Sequence, residues 1–277
     1  MIGMSAGNYS LVRANTRIAA WIIAVVAVMW APLAAAQDDE KFSISLGVFI
    51  TDRNSDTSIG VSGDPMGTPV DLETDLGLDT SDTVFRLDGY YRFNDKHRID
   101  ISAFDLSRTS TKTIDKEIDW NGTIYPIDAT VKGEFDLNIY KLAYTWAFMR
   151  RDKGYLGVTG GLYIADIGTR LSAANIADRD GGGVTAPLPV VGLRGEYQIS
   201  DKWSFRASGE IFSLNYQDFD GSLTDFYAGV DYKLFERASI GLGINSVKID
   251  LGVQSTDLNG ALDWRYDGGL LFVKFDF

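Results

Sequence analysis

The chain has 277 residues, no cysteine, a single histidine and a formal net charge of −12. Without cysteine there are no disulfides, no thiol nucleophile and no zinc–thiolate site. The acidic balance argues against nucleic acid as a partner, because neutralising phosphates takes an excess of Lys and Arg.

Residues 1–36 come first. Arg13 and Arg17 precede an apolar run from Ile18 to Trp30, and Ala34-Ala35-Ala36 before Gln37 fits the small-residue cleavage pattern. The run is shorter than the roughly 20 residues that span a bilayer as a helix. We read residues 1–36 as a cleaved Sec signal peptide, an uncleaved anchor being the alternative, and residues 37–277 as one exported domain. No comparable apolar stretch follows Gln37.

Beyond it the pattern has period two, the mark of strands with one apolar face. Residues 41–52 set Phe42, Ile44, Leu46, Val48 and Ile50 against Ser43, Ser45, Gly47 and Thr51. Residues 83–93 set Phe85, Leu87, Gly89, Tyr91 and Phe93 against Arg86, Asp88, Tyr90 and Arg92. The strand from Arg98 fits worst: Ile99, Ile101 and Ala103 share a face that then meets Asp105, so a bulge near Phe104 or a membrane boundary is expected there. Residues 140–148 alternate Tyr140, Leu142, Tyr144, Trp146 and Phe148 with Lys141, Ala143, Thr145 and Ala147. Similar patterns at 155–165, 190–197, 203–212, 225–234, 238–246 and 262–277 bring the count to ten strands.

The connections alternate in length. Those at 94–96, 149–154, 199–202 and 236–237 are short; those at 53–82, 107–134 and 172–185 are long, and 216–222 and 254–260 fall on the long side by their order. Within 107–134, Asn121-Gly122 marks a type I′ turn between Glu117–Trp120 and Thr123–Tyr125, which reads as a hairpin projecting past the membrane. Aromatics bracket the short turns: Tyr91, Phe93, Trp146, Phe148, Tyr155, Tyr197, Trp203 and Tyr232 would form a girdle at one membrane interface.

The last eight residues, Leu-Leu-Phe-Val-Lys-Phe-Asp-Phe, put Leu271, Val273, Phe275 and Phe277 on one face. Here the chain resembles bacterial outer-membrane β-barrel proteins. The resemblance implies an insertion signal at Phe275 and Phe277, read by the barrel-assembly machinery. Arg-Leu-Asp-Gly-Tyr-Tyr-Arg-Phe at 86–93 and Pro-Leu-Pro-Val-Val-Gly-Leu-Arg-Gly-Glu-Tyr at 187–197 are similar in style to OmpW-like and OmpA-transmembrane-like proteins, which usually have eight strands. The expectation is an all-β chain: a single transmembrane antiparallel up-and-down barrel of about ten strands, or eight as in those relatives, with periplasmic termini in the bacterial outer membrane. A soluble sandwich or lipocalin-like barrel is the competing architecture; the bracketing aromatics and the terminal Phe weigh against it.

Known barrel enzymes of the outer membrane rely on a histidine at the outer end. His97 follows the first short turn, at the opposite end, so no catalytic residue is assigned and no enzymatic activity is expected. The inward charges are Arg86, Asp88, Arg92, Asp100, Lys141, Arg194, Glu196, Arg206, Glu210, Asp231, Lys233 and Lys274. Their mixed signs favour pairing across the lumen over a single-sign selectivity ring. Arg194, Glu196, Arg206 and Glu210, on neighbouring strands, are expected at the centre. Asp71-x-Glu73-x-Asp75 has calcium-loop spacing, but Leu76 stands where the sharp turn needs glycine, so an acidic, solvated loop is expected, with no metal and no cofactor. Asp178 to Gly183 reads as a flexible tip. The function expected is a non-enzymatic barrel with a salt-bridged, largely filled lumen, whose loops meet lipopolysaccharide or another surface partner. The alternative is a narrow pore or transporter for small solutes or small hydrophobic compounds.

Overall fold

The computed structural model describes residues 41–61, 68–174, 180–216, 219–254 and 258–277. The signal-peptide reading and the loop tips at 175–179 and 255–257 lie outside these residues. The described chain is all-β: β1 (Phe42–Val61), β2 (Val70–Asp71), β3 (Ser81–Asn94), β4 (His97–Thr113), β5 (Ile118–Trp120), β6 (Thr123–Tyr125), β7 (Thr130–Arg151), β8 (Gly154–Ala173), β9 (Asp180–Gln198), β10 (Trp203–Tyr216), β11 (Phe219–Phe235), β12 (Ala238–Gln254) and β13 (Leu258–Asp276). Ten long strands run antiparallel, each beside its neighbour in sequence, and β13 pairs with β1 to close the barrel. Closure leaves no open sheet edge. At the seam the Phe277 amide donates to the Phe42 carbonyl at 2.8 Å, and the Lys41 amide donates to the Phe277 carbonyl at 2.9 Å. Lys41 and Phe277 therefore sit together at the short-turn end.

Outward side chains near that end are apolar. On β7, Tyr140, Leu142, Tyr144, Trp146 and Phe148 are all exposed, as are Leu46, Phe85, Ile101, Val191, Leu193, Ile211, Leu242, Ile244 and Leu271 around the wall. Eight residues at roughly 3.4 Å each, tilted by about 40°, rise about 21 Å, close to the ~25 Å apolar band of a membrane barrel. No helix among the described residues is long and apolar enough to cross a membrane; in this chain the strands carry the lipid-facing surface.

Above the belt the chemistry inverts while the pleat continues. Lys132, Glu134, Asp136 and Asn138 of β7 face outward, and Val131, Phe135, Leu137 and Ile139 are buried inside. On β12, Val247, Ile249 and Leu251 point in, whereas Lys248 and Asp250 point out. On β13, Leu262, Trp264 and Tyr266 are buried, between the outward Asp263, Arg265 and Asp267. The upper barrel is thus built like a water-soluble protein, apolar within and polar without.

Two expectations change accordingly, and at Phe104 one of two alternatives is removed. The segments read as long loops are largely strand, since β1, β4, β7, β8, β9, β12 and β13 all run past the belt; even Gly181 to Gly183, read as part of a loose tip, lie in β9. β4 carries no bulge near Phe104, where its register with β7 is continuous, and Asp105 marks the top of the belt. The β5–β6 hairpin does have positive φ at both turn residues (Asn121 53°, Gly122 80°), but it folds inward instead of projecting. Ile118, Trp120 and Tyr125 are buried, and the Tyr125 hydroxyl donates to the Leu171 carbonyl at 3.0 Å.

Candidate functional site

The lumen has two layers. The lower one, within the belt, is a network of paired charges. Lys141 bonds Glu210 and lies 3.9 Å from Asp225, and the Tyr163 hydroxyl sits between those carboxylates, 3.1 Å from Glu210 Oε2. Asn245 ties this cluster to its neighbours with both halves of its amide. Its Nδ2 donates to Asp225 Oδ1 (2.6 Å) and the Phe226 carbonyl (2.7 Å), while its Oδ1 accepts from Arg86 Nη1 (2.5 Å) and the Tyr266 hydroxyl (3.2 Å). An amide used on every side holds its strand in one register and has neither of its own polar atoms unmet.

Around the wall, Arg86 Nε pairs with Asp88 at 3.0 Å. Arg98 bonds Asp100 through Nε at 2.8 Å, donates from Nη1 to the Tyr155 hydroxyl at 3.0 Å and reaches Glu196 at 3.7 Å. Arg194 lies 3.8 Å from Asp100 and 3.7 Å from Glu210. Nearer the short turns, Arg206 bonds Asp231 at 2.9 Å, and Lys274 reaches Asp231 (3.7 Å) and Asp276 (3.0 Å). Arg92 and Lys233 join these groups around a vestibule of about 250 Å³. A smaller void of about 70 Å³ remains among Arg86, Asp100, Lys141 and Asp225.

The inward charges expected from the sequence are therefore brought together, but the centre differs. Lys141, Glu210, Asp225 and Tyr163 form the buried middle, and Arg206 pairs with Asp231 on the next strand instead of with Glu196 or Glu210. Arg98, Asp225 and Asp276 were missed. Each sits at the end of a strand or outside the residues first assigned to it, although Arg98 shares the parity of Asp100, Asp225 that of Asp231 and Asp276 that of Lys274. In the girdle, Tyr91, Phe93, Trp146, Phe148, Tyr197 and Trp203 are exposed, with Tyr232 5.0 Å from Trp203 between ring centroids. Tyr155 does not belong there. It is on the inward face of β8, bonded to Arg98.

The upper layer is an apolar plug. It begins where Tyr266 meets Phe49 (5.1 Å between centroids), Phe104 (5.7 Å) and Trp264 (4.8 Å). It continues through Phe135, Leu137, Leu171, Leu188, Leu223 and Ile249, all buried. Val70, Leu72, Leu76 and Leu78 close the top with Ile114, Ile118 and Trp120. The acidic first loop is folded into this cap and is not a solvated loop. Asp71 Oδ1 accepts from the Glu73 and Thr74 amides (2.9 and 2.7 Å), Glu73 forms a buried pair with Arg108 (2.5 Å), and Asp75 pairs with Lys116 (2.6 Å). Among the described residues no group of acids, histidines or cysteines has metal-ligand geometry. On the outer wall, Lys132 (2.6 Å) and Arg170 (3.0 Å) both bond Glu134; the Lys132 bond, reinforced by the two positive charges, holds its carboxyl below the usual range.

No protein-family model and no curated protein matches the chain. Solved structures do. The outer-membrane protease OmpT of Escherichia coli aligns at TM-score 0.54 and 9% identity, over 89% of this chain and 100% of that one. The two share a fold. Lower likenesses include the toluene transporter TodX of P. putida (TM-score 0.37, 8% identity, 87% of this chain and 91% of that one) and Ail of Yersinia pestis (TM-score 0.37, 11% identity, 83% and 99%). At such identities the OmpT match speaks for the ten-strand barrel alone, and the other two add nothing to the argument.

Proposed function

We propose that this chain is a non-enzymatic outer-membrane barrel, closed to solutes, that spans the bilayer with its short turns toward the periplasm and holds a capped, polar-walled upper barrel outside the cell as a surface for lipopolysaccharide or another external partner. The observation that carries this reading is the double obstruction of the lumen: a neutralising charge network inside the belt and, above it, a plug of buried aromatic and aliphatic side chains roofed by the first loop and the β5–β6 hairpin. A conduction path needs water or a line of exchangeable polar ligands, and the plug offers neither. The outward inversion from apolar belt to charged wall supports a portion standing in water beyond the outer leaflet. Continued along β7 to Thr130, the strand rises roughly another 26 Å above the belt.

The OmpT likeness is one of fold, and proteolysis does not travel with it. The single histidine supports the non-enzymatic reading: His97 is held against Tyr144 at the short-turn end, ring centroids 5.9 Å apart, at the opposite end of β4 from the capped mouth. The test is solute entry into liposomes carrying the refolded protein. Proteoliposomes placed in isotonic arabinose should not swell faster than protein-free vesicles; rapid swelling would replace this reading with the pore.

A further inference from the structure

The outward wall of the barrel carries a broad, open recess. At the lower edge of the belt, two neighbouring strands place small residues side by side: Gly195 on β9 is registered with Ala207 on β10, and Gly209 of β10 with Leu193 of β9. Leu156, Tyr197, Phe205 and Phe226 stand around them, and the open recess they border measures about 780 Å³, within the range of about 300–1,000 Å³ typical of ligand sites. A Cβ added at Gly209 would meet nothing within 4 Å. The gap is therefore open space, not a close backbone contact.

A charged rim lies directly beneath. The register of β7 with β8 shifts between Ala147 and Met149, and this bulge turns the strand so that Met149 pairs with the outward Leu156, and Arg151 with Gly154. An unbroken strand would have turned Arg151 into the lumen. Arg151 and Lys153 border the recess on either side of Asp152, also reach the vestibule at the short-turn end, and make no ion pair among the described residues, although the chain carries a large excess of acid. Gly154 and Leu156 are two residues apart, about 7 Å along the strand, which is the offset between a phosphate and the first part of its acyl chain.

We infer that this recess binds a glycerophospholipid with an anionic headgroup, its phosphate held by Arg151 and Lys153 and one acyl chain laid over Gly195, Ala207 and Gly209. The charge at the rim selects the lipid, and the missing side chains make room for the chain. This site rests on the membrane reading proposed above, with the short turns at the phospholipid leaflet, but it does not depend on whether the lumen is closed.

The test uses the full mature protein, extracted from outer membranes in mild detergent and analysed by native mass spectrometry, then delipidated and titrated with phosphatidylglycerol or phosphatidylcholine. The wild type should retain phospholipid and prefer phosphatidylglycerol on the order of tenfold, as expected for two basic side chains at a headgroup. Gly209→Leu, whose Cβ meets nothing within 4 Å and whose side chain extends into the recess, should weaken retention at least tenfold while heat-modifiable migration shows a folded barrel. Arg151→Glu with Lys153→Glu, on an exposed turn, should abolish the headgroup preference and keep the fold. Undiminished retention in folded Gly209→Leu, equal affinity for the two lipids in the wild type, or a dimer cross-linked through Ala207 would each overturn the assignment. If the protein does not fractionate with outer membranes at all, the membrane reading itself fails, and this site with it.

Discussion

Replacing Lys141 with methionine tests the charge layer at its most enclosed point. The side chains of Lys141 and Glu210 are 6% and 1% exposed, so the substitution leaves a carboxylate in a nearly dry setting with its closest cation gone. Breaking a buried pair by removing one member costs about 3–5 kcal/mol. Glu210 would keep the Tyr163 hydroxyl at 3.1 Å and Arg194 at 3.7 Å, and Asp225 would keep Asn245 at 2.6 Å. We therefore place Lys141→Met at the low end, about 3 kcal/mol. Lys141→Met combined with Glu210→Gln removes both charges and should recover about 2 kcal/mol of that loss, because a neutral pair of similar volume is tolerated far better than a lone buried ion. Urea unfolding of the refolded protein in detergent, followed by tryptophan fluorescence, gives the four free energies of the cycle. Single losses that add within about 0.5 kcal/mol would mean the two groups do not interact, and the paired-lumen account would fall.

Arg206→Ala should couple in the same assay to Asp231→Asn and not to Glu196→Gln or Glu210→Gln, since the bond runs to Asp231 at 2.9 Å; coupling only to Glu210 would contradict the register of β10 with β11. Trp120→Ala removes a fully buried cap side chain and should cost about 3–5 kcal/mol, with new tryptic cleavage after Lys116; an unchanged digestion pattern and midpoint would show that the hairpin does not roof the plug. Leu242→Arg, on the belt, should lose roughly 2–4 kcal/mol and yield little heat-modifiable barrel, whereas Lys248→Leu, on the polar wall above it, should assemble normally; equal yields would erase the boundary between them. A membrane-impermeant maleimide should label Ile127→Cys on intact cells and leave Asp95→Cys and Asp201→Cys unlabelled, and the reverse pattern would invert the orientation.

The belt and the lumen charges were legible because lipid imposes a strict alternation. On 140–148 every outward residue is apolar and every inward one small or polar, so parity alone assigns the faces. The upper barrel was missed although its signal is as regular. From 130 to 139, Val131, Phe135, Leu137 and Ile139 alternate with Lys132, Glu134, Asp136 and Asn138, but in the opposite phase, and the break falls at the adjacent pair Ile139-Tyr140. A reading that expects apolar residues to face outward stops at such a break and assigns loop beyond it. The correct inference is that solvent replaces lipid there and the same strand goes on. Tyr155 was misplaced for a related reason: proximity to a short turn suggested the girdle, but its parity with Gly157 and Thr159 faces the lumen, where Arg98 needs an acceptor. The partner of Arg206 was not legible at all, because Glu196 and Asp231 flank it on opposite neighbouring strands and only side-chain geometry chooses between them.

The closed lumen is tested most directly by current across a planar lipid bilayer containing the refolded, heat-modifiable protein. The account predicts silence at all voltages that the bilayer withstands, both for the wild type and for Arg206→Ala, because the plug of Tyr266, Phe49, Phe135 and Leu188 stands above the charge layer. Stepwise, ohmic openings in the wild type whose ion preference shifts in Arg206→Ala would contradict it.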